Sequence, residues 1–324
     1  MKVYIVGAGA VGTYLGDLLQ SVNVDVTYAP RNLSDVTPVD TDVAIVAVKS
    51  YDTPGAIETL RKAIAFPQKC VFVSPQNGIG NEDKLAEAFG EDNVVAAALT
   101  VPVGRNGDEH GQATKEGGLA FAPLGKNAYN WLTAAFASTG LKVQIVGDWR
   151  ALKWSKLALN IVANASCAIL NVLPNRLVHY DEIFTLEIRA IREVRAVMHA
   201  MGISPIDLPR YPVRAMQGIA NLPSPVSRKL LAGRVAGARG TKPPSLLLDL
   251  RAGRAQTEVD YLNGAVACAG RDHHVRTPVN AVYARVLEDI AHMPQLWAKY
   301  REHPDTLAGE VAAEVKRVRA LAKA

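Results

Sequence analysis

Gly7-Ala8-Gly9-Ala10-Val11-Gly12 follows the apolar run Val3-Tyr4-Ile5-Val6 and opens a row of apolar residues, Val11, Leu15, Leu18 and Leu19, at helical spacing. That order reads as strand, tight turn and helix. Each glycine serves a separate need: the first a sharp turn, the second a close approach of backbone to ligand, the third a close approach of helix to strand. A helix start offers backbone N–H groups without partners and the positive end of a dipole, so it suits an anion. Such a turn is weak evidence alone. Set between strand and helix, residues 7–12 read as a cradle for the pyrophosphate of a dinucleotide.

The next strand, residues 25–28, bears on which dinucleotide. A carboxylate at its end would accept hydrogen bonds from a free ribose 2′-hydroxyl and repel a phosphate. Here the strand runs into Tyr28-Ala29-Pro30-Arg31. An arginine can pair with a 2′-phosphate, so NADPH is expected over NADH, the alternative being a solvated surface arginine. A flavin nucleotide uses the same turn, but no further region suited to holding a flavin is visible.

Apolar runs at residues 2–6, 25–28, 43–48, 70–74, 94–99 and 143–146 alternate with helical patterns, as parallel strands with crossover helices require. Residues 119–124 suggest an added antiparallel strand. After Gly147 the character changes. Residues 150–170 and 180–201 carry helical spacing, with Ile188, Ile191, Val194, Met198 and Met201 in one stripe, and further helices are expected near 245–250, 257–270 and 278–291. Residues 234–244, with two glycines and two prolines, read as a mobile loop. The expected fold is α/β: an N-terminal Rossmann domain with a parallel sheet over residues 1–148, followed by an all-α substrate domain over residues 149–324. A chain of 324 residues is long enough for two cores.

Cys70, Cys167 and Cys268 lie far apart with no C-x-x-C pair and read as packing residues of a reducing compartment. The N-terminus shows no signal-peptide pattern, and no apolar run reaches the roughly 20 residues of a membrane span, so a cytoplasmic protein is expected. The net charge of +5 suits a small anionic ligand. The basic cluster Lys316, Arg317, Arg319 and Lys323 reads as the solvated side of a helix backed by Val311, Val315 and Leu321, not as a nucleic-acid surface. His273, His274 and His292 have no carboxylate or cysteine at ligand spacing, so no metal is expected.

Lys156, Asn160 and Asn164 stand at i, i+4 and i+8, which would stack them on one helix face between apolar Leu157, Leu159, Ile161 and Val162. Asparagine forms helices poorly and favours caps, so an ammonium and two carboxamides in a row point to a site rather than a solvated face.

Taken together, the glycine turn, Arg31, Val48-Lys49-Ser50, Gln76-Asn77-Gly78-Ile79-Gly80, Trp154-Ser155-Lys156-Leu157-Ala158-Leu159-Asn160 and Thr257-Glu258-Val259-Asp260-Tyr261-Leu262-Asn263-Gly264 resemble the ketopantoate reductase family, over nearly the whole chain. The resemblance implies reduction of a 2-oxo acid by NADPH, with ketopantoate as the best single substrate. It implies that Lys156 is the general acid, that Asn160, Asn164 and Ser245 hold substrate, and that Lys49 and Asn77 lie beside the dinucleotide. Glu258 would accept from a hydroxyl of cofactor or substrate, or hold Lys156 in place. Lys153, three residues before Lys156, is expected to be replaceable with mild effect. Read from the residues alone, Lys49 is also a solvated loop charge, Asn77-Gly78 an ordinary turn and Ser245 a helix cap.

Three departures from the family pattern stand out: a shortened segment between Arg31 and Val43, one extra residue between Arg254 and Glu258, and Ala165-Ser166-Cys167 where a proline is typical, which bears on Asn175. Competing readings are a different branched or aromatic 2-oxo acid and a non-catalytic NADP-binding sensor. The long helices of the second domain would form the interface of a homodimer.

Replacing Arg31 by Ala should weaken NADPH by about 1–3 kcal/mol of charge-assisted bonding and leave NADH nearly unchanged. The ratio of the two KM values reads this directly, and equal effects on both would remove Arg31 from the phosphate.

Overall fold

Val3 and Ile5 face one side of their strand and Tyr4 and Val6 the other, as the two-residue period of a strand dictates. All four are buried, so both faces of the sheet are covered. The computed structural model describes residues 1–104, 110–127 and 129–321. Its strands are β1 (Lys2–Val6), β2 (Asp25–Tyr28), β3 (Val43–Val46), β4 (Val71–Ser74), β5 (Val94–Leu99), β6 (Val103–Gly104), β7 (Gln112–Ala113), β8 (Gly118–Pro123) and β9 (Lys142–Ile145).

Seven of them form one sheet in the order β2-β1-β3-β4-β5-β8-β9. All neighbours are parallel except β5 and β8, and β6 pairs with β7 apart from the sheet. The expected antiparallel strand is therefore present, paired from Val95 with Pro123 to Leu99 with Leu119. The chain leaves β1 to one side for β2 and returns to its other side for β3. Such a reversal opens a crevice at the carboxyl ends of the strands, beside the glycine turn.

The helices are α1 (Ala10–Gln20), α2 (Thr53–Ala63), α3 (Asn81–Phe89), α4 (Asn130–Ser138), α5 (Trp149–Asn160), α6 (Ala165–Leu170), α7 (Pro174–Leu177) and α8 (Asp181–Ala200). They continue as α9 (Val213–Ala220), α10 (Ser224–Arg239), α11 (Ser245–Arg251), α12 (Asn263–Asp272), α13 (Pro278–His292), α14 (Trp297–Tyr300) and α15 (Pro304–Leu321). The chain forms two compact units: Met1–Lys156 with Ile206–Tyr211, which holds the sheet, and Leu157–Pro205 with the chain from Pro212 onward, which is helical. Helix α5 begins in the first and ends in the second.

Three expectations about helices need correction. Residues 150–170 are two helices, because Ala163 takes a left-handed φ of +48°. That conformation costs an alanine about 1–2 kcal/mol. It is held by Glu187, a buried acid of α8 whose carboxylate accepts the Ala163 N–H. The row Lys156, Asn160, Asn164 is consequently no single helix face. Residues 234–244 are not all loop, since α10 runs on to Arg239 and stops where Gly240 turns left-handed at φ +56°. Residues 257–270 divide into a 3₁₀ turn, Glu258–Tyr261, and α12, with Leu262 out of helical geometry between them.

The apolar stripe of α8 is buried as expected through Ile188, Ile191, Val194 and Met198. Glu193 lies on the same buried face. Its Oε1 accepts from Val279 N and its Oε2 from Asn280 N, both at 3.0 Å, which caps the start of α13. Asn280 Nδ2 donates to Glu193 as well, and Asn263 Nδ2 donates to Asn280 Oδ1. Burial pushes the Glu193 carboxyl up to about 7, with Arg189 and the three N–H donors opposing. Lys323, one of the expected basic cluster, lies outside the described residues. Among the described residues, no helix is long and apolar enough to cross a membrane.

Candidate active site

The site begins at Gly7, whose φ of +108° and close approach to the backbone of Ala47 and Val48 leave no room for a Cβ. At Gly12 a Cβ would run into the carbonyl oxygen of Gly7, so the helix lies against the strand only with glycine there. At Gly9 nothing stands within 4 Å of an added Cβ, and no side chain caps α1 at that position. Ala8, Ala10 and Val11 complete the turn. An open N-terminus without acidic residues in its first turn fits a pyrophosphate. Arg31, exposed beyond β2, has no carboxylate partner among the described residues.

Lys49 follows β3 and is half-buried, and Asn77 follows β4. A buried network ties these two turns together. The Ser50 hydroxyl donates to the Asn77 carbonyl, as does Asn81 Nδ2, which also reaches Ser50 Oγ. Gln76 Nε2 donates to the Val48 carbonyl and to Thr53 Oγ1, and Thr53 Oγ1 donates to Asn81 Oδ1.

The network continues into α5 through a residue that sequence reasoning treated as incidental. Lys153 is 1% exposed; its Nζ lies 2.7 Å from Glu82 Oε1 and donates to the Gln76 carbonyl. Glu82, in the first turn of α3, is fully buried and also accepts from Ser74 Oγ at 2.6 Å. The burial and pairing of Lys153 run against the expectation that it is replaceable with mild effect. A lysine between Leu152 and Trp154 and a glutamate at a helix start each look like ordinary surface charges in sequence. Only their burial reveals the pair.

Asp148 Oδ1 accepts from Arg150 N and Ala151 N and starts α5, so Lys153 and Lys156 are held one turn apart. Lys156 and Asn160 are half-buried. Asn164 is 4% exposed and its amide is committed to the fold: Nδ2 donates to the Asn160 carbonyl and Oδ1 accepts from Leu246 N at 3.3 Å. It ties the end of α5 to the start of α11. Ser245 is the exposed first residue of α11 and Pro244 takes the cap position. Glu258 is buried while Asp260, two residues on, is exposed. Asn175 N donates to the Gly240 carbonyl. His273, His274 and His292 are exposed, and no group of metal-ligating side chains occurs among the described residues.

Two family models match the chain: "Ketopantoate reductase PanE/ApbA" over residues 28–126 and "Ketopantoate reductase PanE/ApbA C terminal" over residues 148–291. The glycine turn precedes the first match. A 2-dehydropantoate 2-reductase of Pyrobaculum aerophilum is 32% identical over 242 residues, 74% of each chain. The crystal structure of a ketopantoate reductase of the same family from Ralstonia eutropha is 26% identical with a TM-score of 0.75, covering 91% of this chain and all of that one. A D-mandelate dehydrogenase, described with NADH and anilino(oxo)acetate, shares the fold at 18% identity and a TM-score of 0.74, over 90% of this chain and 98% of that one.

Lys153→Ala should cost about 3–5 kcal/mol in urea unfolding, because it leaves the Glu82 carboxylate buried and unpaired. Lys153→Met with Glu82→Gln should recover most of that loss. A single variant losing under about 1 kcal/mol would mean that water reaches the pair.

Proposed function

The chain belongs to the ketopantoate reductase family, oxidoreductases that act on a CH–OH group with a nicotinamide cofactor, and from this premise we propose that it reduces a 2-oxo acid with NADPH, ketopantoate giving pantoate. The observation that carries the reading is the bond from Lys153 to the Gln76 carbonyl. It fixes the helix bearing Lys156 against the turn bearing Asn77.

When bound, the dinucleotide supplies the hydride. The backbone N–H groups of residues 7–12 would hold its pyrophosphate and Arg31 its 2′-phosphate, with Lys49 and Asn77 beside the dinucleotide. Lys156 polarises the ketone and gives a proton to its oxygen as negative charge develops there. Asn160 and Ser245 donate to the substrate carboxylate or hydroxyl. Asn164 is a positioning residue, since its amide already holds Asn160 and Leu246. Glu258 is the buried acceptor for a hydroxyl. A sensor would have no use for a proton donor, which favours an enzyme.

The segment around Ala165-Ser166-Cys167 leaves the acid's side chain as the main variable. The dehydrogenase sharing this fold is described with anilino(oxo)acetate, so an aromatic 2-oxo acid belongs beside ketopantoate in the assay.

Lys156→Ala should lower kcat for ketopantoate by about 10²- to 10⁴-fold while NADPH binding stays within a few-fold of wild type. NADPH consumption under saturating substrate, with NADPH titrated separately, checks both. A variant retaining more than a third of wild-type kcat would remove Lys156 as the acid, and faster turnover of the aromatic acid would reassign the substrate.

A further inference from the structure

Within the helical unit a cavity of about 310 Å³ is lined by Arg189 and Arg192 of α8, Arg276 before α13, and Arg319 of α15. Val315 and Val318 form its apolar wall. The one carboxylate lining it, Glu193, already accepts from Val279 N, Asn280 N and Asn280 Nδ2. Those three donors leave it little capacity to receive a guanidinium.

Arg192 is fixed in place, its Nε donating to the Ala220 carbonyl and its Nη2 to the Leu222 carbonyl. Arg189, Arg276 and Arg319 form no ion pair with any described carboxylate. Several other arginines of the same unit are matched with acids, Arg285 with Glu310, Arg317 with Glu314, Arg254 with Asp249 and Arg228 with Asp181, while Arg251 reaches Asn171 and Arg301 lies over the Trp297 ring. Four guanidiniums around one cavity repel one another unless an anion intervenes, and the planar fork of arginine fits an oxyanion with two parallel bonds. Burial holds the Glu193 carboxyl up to about 7, so it opposes an incoming anion less than an ordinary glutamate would.

We propose that this cavity is a second anion site, distinct from the glycine turn, which takes a small multivalent oxyanion such as a diphosphate or a polycarboxylate. Charge sets the valence: Arg276 and Arg319, with Arg192 and with Arg189 whose charge already favours the Glu193 carboxylate, exceed what a monoanion neutralises. The size fits, since about 310 Å³ lies at the small end of ligand pockets. The site does not depend on the catalytic reading, as none of its residues belongs to that site.

The test is calorimetric titration of inorganic pyrophosphate, and separately of citrate, into the full-length protein with saturating NADP⁺. At least one anion should bind saturably below about 1 mM, and Arg276→Gln combined with Arg319→Gln should weaken it at least tenfold. Both arginines are exposed, and an unchanged Tm would show the fold intact. The tighter of the two anions names the chemistry. No saturable binding of either anion by 10 mM, or binding that the double variant leaves unchanged, as it would at the glycine turn, overturns the proposal.

Discussion

A lysine and a glutamate with almost no exposure to water, 2.7 Å apart, join helix α5 to helix α3 and to the Gln76 carbonyl. Removing two charges from water costs several kcal/mol for each ion, and attraction between them offsets this only when geometry and further hydrogen bonds are good. Here Lys153 has Glu82 and a backbone oxygen, and Glu82 has Lys153 and Ser74. Glu82 Oε2 has no partner among the described residues, and replacing a buried ion pair by apolar side chains of similar volume is often neutral or stabilising. What apolar side chains lack is direction. The pair fixes Lys153 of α5 against α3 and the Gln76 carbonyl, and Lys156 stands one turn later on the same helix.

Much of the first unit is legible in the sequence because its sheet is covered on both faces, so its strands appear as short continuous apolar runs and its turns as glycines. Strand β5 was expected at the residues where it is found, and β8 was expected with its antiparallel sense. The glycine turn was legible for a stronger reason: Gly7 and Gly12 are required by clashes that any Cβ would make. The helical unit was less legible. Periodicity in residues 150–170 is continuous through Ala163, and what breaks the helix is a carboxylate from α8, distant in sequence. Beyond that break Asn164, expected at the substrate, links the Asn160 carbonyl to the start of α11 through its amide.

Buried acids recur with one physical role. Glu187 accepts the Ala163 N–H at the break after α5, and Glu193 accepts two backbone N–H groups at the start of α13. Each replaces a local cap with a carboxylate from the middle of α8, so that a single long helix fixes where two others begin. Helical spacing alone assigns neither glutamate a backbone partner elsewhere in the chain. Their burial follows from where orphan backbone donors fall, which becomes visible only once the chain is folded.

Steady-state kinetics of Lys153→Met combined with Glu82→Leu show whether the buried pair orients Lys156. That variant removes both charges and keeps apolar bulk, so it should remain folded with NADPH affinity near wild type. If the pair sets the bearing of α5, kcat should fall at least tenfold in this folded protein. A folded variant with wild-type kcat would mean that the direction of Lys156 is set by something other than the buried pair.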